Sequence, residues 1–138
     1  MSATDELTTL DKFIADNRIT ATAVRHYDNP WMSDATDGMH HWRVTLKCGR
    51  KRLTVPFSQG SAHTKEPIAA DVLDCMASDA AGYENARSFE EWCSEYGYDE
   101  DSRRAEKTYK AVEQSSAKLS KFLGQEQYEQ LVWRTERL

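Results

Sequence analysis

Hydrophobic and polar positions change period along this chain, from alternation in the first half to helical spacing in the second. The clearest alternation is HWRVTLKC, in which Trp42, Val44, Leu46 and Cys48 alternate with Arg43, Thr45 and Lys47. That pattern predicts a strand with one covered face. Gly49 and its basic neighbours predict a turn. In RLTVPF, Leu53, Val55 and Phe57 then alternate with Arg52, Thr54 and Pro56, completing a hairpin. Pro56 has no amide hydrogen to give a ladder, so this strand is expected at a sheet edge or to end there. Upstream, Arg18 to Tyr27 is rich in β-branched residues and reads as extended, with Thr20, Thr22, Val24 and His26 opposite Ile19, Ala21 and Ala23. Before it, Leu7, Leu10, Phe13 and Ile14 share a helical face, with Thr4 or Asp5 as cap and Asn17 suited to the end. Asp28 to Met39, with its Asn-Pro and Asp-Gly pairs, and Ser58 to Glu66 read as polar loops; Trp31 in the first needs a packing partner.

From Pro67 onward the period is helical. Ile68, Val72, Leu73, Cys75 and Met76 supply one apolar face up to the small residues before Gly82, and Tyr83 to Arg87 is expected to link to the next element. The helical half is organised around Ser88 to Tyr109, SFEEWCSEYGYDEDSRRAEKTY. Ser88 is a good N-cap, and Glu91 stands where it can reach back to the cap's own amide. Phe89, Trp92, Cys93 and Tyr96 fall on one helical face, and Gly97 closes that helix. Asp99, Glu100, Asp101 and Ser102 suit the positive start of a second helix. There Ala105, Tyr109, Val112, Ser116, Leu119 and Leu123 recur at steps of four and three, with Gly124 as terminator. Tyr128, Leu131 and Val132 mark a short last helix. The expected fold is a single α+β domain over residues 1–138, strand-rich from 18 to 58 and helical from 67 to 135. A small antiparallel sheet packs against a layer of helices that includes a long C-terminal one.

Composition narrows the class. At 138 residues the chain can bury one core without disulfides or metal. Charged residues make up 30%, but four tryptophans and six tyrosines make it too aromatic to be disordered. No apolar run approaches the roughly 20 residues that span a bilayer, and Asp5 and Glu6 stand near the start, so a cytoplasmic location is expected. Cys48, Cys75 and Cys93 form no CxxC pair and read as reduced and mostly buried. The net charge of −5 disfavours a general nucleic-acid binder.

Charge is nevertheless uneven, and this supplies the candidate sites. Between residues 84 and 101, Glu84, Glu90, Glu91, Glu95, Asp99, Glu100 and Asp101 face only Arg87. A field of that sign can compete for a basic nucleic-acid groove on another protein. Arg43, Lys47, Arg50, Lys51 and Arg52 have no acid among them and could grip phosphate, although a solvated hairpin face would also carry charge. Catalytic and metal chemistry find less support. YGYDEDSRRAEK lacks the ligand order of a calcium loop. His40 and His41, if they lead into the strand, point to opposite faces. Cys93 lies among glutamates, which oppose a thiolate. No Walker loop, nucleophile elbow, dinucleotide fingerprint or zinc-protease helix occurs. No enzyme activity, cofactor or metal is therefore expected.

The succession NPWM, HHWRVTLKCGRKRLTVPFSQGSAH, DVLDCMASDA and SFEEWCSEYGYDEDSRRAEKTYKA resembles small phage and prophage proteins, most of them uncharacterised, associated with genes opposing host defence. The resemblance covers residues 28–112 and brings no active site with it. It implies an anti-defence, anti-CRISPR-like protein, made during infection or lysogeny, whose partner is a host CRISPR effector or another nucleic-acid-binding complex. The contact surface comes from charge, not from the resemblance: Glu90, Glu91, Glu95, Asp99, Glu100 and Asp101. The alternatives are a nucleic-acid-binding module using the basic hairpin, and a small enzyme whose site is built from dispersed residues.

Overall fold

The computed structural model of the chain describes residues 9–25, 39–60 and 65–134. Their order is helix α1 (Thr9–Asp16), strands β1 (Ile19–Arg25), β2 (Met39–Cys48) and β3 (Lys51–Gly60), then helices α2 (Ala69–Asn85), α3 (Phe89–Tyr96), α4 (Arg103–Leu123) and α5 (Gln125–Val132). The fold is α+β, with an antiparallel three-stranded sheet of order β1-β2-β3. The chain divides into two compact units, one of Asp11–Leu73 and one of the described parts of Met1–Leu10 and Asp74–Leu138.

In the first unit the sheet forms where alternation predicts it. Trp42, Val44 and Leu46 are buried, whereas Arg43 is exposed. Ile19, Ala21 and Ala23 share the inward parity of β1, and Val24 on the other face is 67% exposed. A two-residue turn joins the hairpin. Gly49 takes φ 64°, and Arg50 is not among the positive-φ residues, so the turn follows the II′ pattern that suits strand twist. β3 is an edge strand, as Pro56 requires, but it does not stop there. It pairs with β2 as far as Met39↔Gly60. Ser58 to Gly60 are therefore strand rather than loop, because an edge strand needs ladder donors on one side only. α1 ends as Asn17 suggests, its side-chain amide donating to Phe13 O at 2.9 Å, although the left-handed residue is Arg18, φ 54°. The proposed caps Thr4 and Asp5, Leu7, and the loop with Trp31 lie outside the described residues.

Several boundaries in the helical half depart from the sequence pattern. α2 begins at Ala69, with Asp71 Oδ2 accepting from Ile68 N at 2.9 Å. Ile68 is 61% exposed, and the buried face runs through Val72, Leu73, Met76, Ala77 and Ala80 instead of through Cys75. α2 also passes through Gly82 to Asn85, where a link was expected. A Cβ on Gly82 would fall 1.7 Å from Tyr96 Oη, so this helical glycine leaves room for a ring. Cys75 is exposed and Cys48 half-buried, leaving only Cys93 as a buried thiol. α4 carries the expected seam: Ala105, Ser116, Leu119 and Leu123 are buried, together with Phe122, which the step pattern omits. Tyr128, Leu131 and Val132 of α5 are buried as predicted. Arg134 is buried beyond the helix, paired with Asp74 and donating to Leu131 O at 2.9 Å. No helix among the described residues is long and apolar enough to cross a membrane.

Leu131 is fully buried, so Leu131→Ala should cost roughly 2–5 kcal/mol in denaturant unfolding. Val24→Ala on the exposed face should stay within about 0.5 kcal/mol of the parent.

Candidate functional site

The acidic elbow between α3 and α4 is built by local hydrogen bonds and held by aromatic rings. Ser88 is extended (φ −156°, ψ 167°), and its hydroxyl accepts from Glu91 N at 3.1 Å, the cap expected from sequence. The return half differs, since Glu91 Oε2 accepts from Arg87 N at 3.3 Å and not from Ser88. At the other end Gly97 takes φ 74°, and both Gly97 N and Tyr98 N donate to Cys93 O, a Schellman-type close. Asp99, Glu100 and Asp101 do not begin α4. Asp99 closes a turn, with Asp101 N donating to its Oδ1 at 3.0 Å and Ser102 N to its carbonyl at 3.0 Å. The cap of α4 is Ser102, whose hydroxyl accepts from Ala105 N at 3.0 Å. Of the candidates, the hydroxyl takes this place because its extended backbone (φ −83°, ψ 143°) directly precedes Arg103.

Trp92 sits beneath this elbow, 3% exposed. Its ring stacks on Tyr98 at 5.2 Å and 6°, and meets Tyr109 of α4 edge-on at 5.2 Å. Phe89 meets Trp92 and Tyr109. With Cys93 and Ala105 these side chains make a small core of their own. The long-helix seam therefore packs, in this stretch, inside the chain. Glu90, Glu91, Glu95, Asp99, Glu100 and Asp101 are all exposed around that core. Their field reaches inward: burial first, then Glu100, Glu90 and Asp99, pushes the Cys93 thiol up, the opposite of what a nucleophile needs.

A second acidic feature lies along α2, α4 and α5 and was not read from sequence. Tyr83 Oη donates to Glu113 Oε2 at 2.7 Å, and Tyr128 Oη to Glu84 Oε1 at 3.1 Å. These pairs line a shallow groove of about 250 Å³ with Ser116 and Ser120. The bond to Glu113 pushes the Tyr83 phenol up to about 12; burial and the Glu84 carboxylate do the same for Tyr128. The spacing of Glu84 from Glu113 hides this grouping, because only α2 beside α4 brings them near one groove.

The basic candidates are also arranged by pairing. Arg43, Arg50, Lys51 and Arg52 are exposed, and Lys47, on the central strand, is half-buried between its neighbours. Register sets Lys47 opposite Arg52 and Arg43 opposite Pro56. Lys51 has the other parity, opposite Cys48, and Arg50 sits in the turn. His40 and His41 face opposite ways, His40 buried and His41 Nδ1 3.0 Å from Ser58 Oγ.

Comparison with known proteins finds no match to any family model, to any curated protein or to any solved structure.

Two measurements follow from these side chains. The folded chain holds Tyr83 and Tyr128 protonated to about pH 12, whereas an unfolded tyrosine ionises near 10. Their contribution to stability should thus be full below pH 10 and disappear as pH rises through 12. Tyr128→Phe should flatten the fall of the denaturant midpoint across that window. In native thiol labelling, Cys75 should react before Cys93, whose modification should require unfolding.

Proposed function

We propose that this protein is a stoichiometric anti-defence inhibitor whose acidic elbow docks on the basic nucleic-acid path of a host effector complex. The effector is of the CRISPR type implied by the resemblance, and docking denies target DNA its path. On this reading the elbow acts in the host cytoplasm, without turnover or cofactor, and touches the effector rather than nucleic acid.

The observation that carries the proposal is the exposure of all six carboxylates on an elbow whose backbone is capped at both turns. Exposed carboxylates on a fixed backbone steer a basic partner, and little ordering is left to do on contact. Glu95 supports the reading further. It lies in the last turn of α3, which holds no basic residue, and one helical turn after Glu91. A carboxylate there opposes both the helix dipole and its neighbour, so local stability does not favour it.

The test uses carboxylates that take no part in the caps. Glu90→Lys/Glu95→Lys/Glu100→Lys should keep the parent melting temperature and reduce inhibition of target-DNA binding by the host effector at least about a hundredfold. Unchanged inhibition would remove the elbow from the mechanism, and product formation by the isolated protein would end the inhibitor reading. Glu95→Gln should also stabilise the fold by a few tenths of a kcal/mol while weakening the inhibitor.

A further inference from the structure

We propose that the open face of the three-stranded sheet, with the hairpin turn beside it, binds the phosphate backbone of duplex DNA. The inference is independent of the acidic elbow, whose residues belong to the other unit. Register lays the face out in rows: Thr20, Lys47 and Arg52; then Thr22, Thr45 and Thr54; then Val24, Arg43 and Pro56; and finally His41 with Ser58. The three strands, of 7, 10 and 10 residues, contain no aspartate or glutamate at all. A surface charged only for solubility intersperses both signs, whereas the charged side chains of these three strands all carry one sign.

The Lys47–Arg52 pair is the decisive feature. Like charges directly opposite on neighbouring antiparallel strands oppose the pairing. Edge protection explains a cation on β3, which is an edge strand, but not one on β2, which is central. An anion bridging the two ammonium and guanidinium groups relieves that repulsion. Arg50 in the adjoining turn extends the same field past the last strand pair, Cys48↔Lys51.

The chemistry of the face selects the occupant. Cations and threonine hydroxyls, such as Thr45 and Thr54 with their oxygens 3.0 Å apart, suit phosphate oxygens. No tryptophan, tyrosine or phenylalanine occupies the open-face positions of the rows, which leaves His41 as their one aromatic ring and favours a duplex over unpaired bases. With Lys47 and Arg52 assigned to phosphate oxygens and no asparagine or glutamine there to read adenine, the binding proposed is independent of sequence. The sheet is three strands wide up to the turn, where Ile19 pairs with Cys48 and Cys48 with Lys51, so the face meets a duplex from outside, on its phosphate rows.

The full chain would be titrated against a labelled random-sequence DNA duplex of about 20 base pairs by fluorescence anisotropy, across a range of salt. With Lys47, Arg50 and Arg52 engaged, the logarithmic salt slope should be about −3. Lys47→Thr/Arg52→Thr should weaken binding at least about tenfold at low salt and reduce that slope by about 2. The same variant should melt at the parent temperature or higher, because a threonine pair replaces two like charges. Absence of salt-dependent binding, or binding unchanged in the variant, overturns the proposal. So does equal or tighter binding of single-stranded DNA, duplex RNA or polyglutamate; the last would mark the face as a site for acidic proteins.

Discussion

The packing of Trp92 decides the shape of the helical unit's charged surface. Its ring touches Phe89 in its own helix, Tyr98 just past the Gly97 close and Tyr109 in the next helix. One side chain thus spans both sides of the elbow. Aromatic pairs of this kind contribute about 0.5–1.5 kcal/mol each beyond the area they bury, so the cluster can hold a bend that capping alone leaves marginal. The caps at Ser88 and Ser102 then satisfy the amides that start each helix. With backbone and rings fixed from beneath, the carboxylates have only outward directions left. The same core explains why the Cys93 thiol is pushed up, because a site dry enough to pack Trp92 disfavours a thiolate.

Two charged groupings sit where local stability argues against them. Glu95 occupies the negative end of its helix, and Lys47 faces Arg52 across two strands. Neighbouring positions obey the ordinary rules. Thr45 meets Thr54 in a hydrogen-bonded pair, and Glu106 takes Lys110 one turn on at 2.9 Å. Where a chain follows local preference along most of its length, departures from it fall at functional or strained sites. The groove of Tyr83, Glu84, Glu113 and Tyr128 differs in kind: there each carboxylate already accepts a phenol.

Much of this was written locally. Alternation in HWRVTLKC and RLTVPF determined two strands and the face each would cover, since a period of two leaves one register that buries Val44 and Leu46. Ser88, Gly97 and Gly124 punctuated the helices by chemistry that acts within a few residues. The exposed carboxylates were legible too, because an unpaired acid is costly to bury. What the sequence could not decide involved partners far along the chain. Gly82 reads as a helix end until Tyr96 occupies the space beside it. The burial of Arg134 has no signal in the sequence, because its partner Asp74 lies far back along the chain. Lys47 and Arg52 read as two members of one basic group, and only strand pairing sets one directly against the other. Propensity, capping and periodicity depend on near neighbours, which the chain itself specifies. Close approach, ion pairing and shared grooves depend on distances that exist only after the elements have packed.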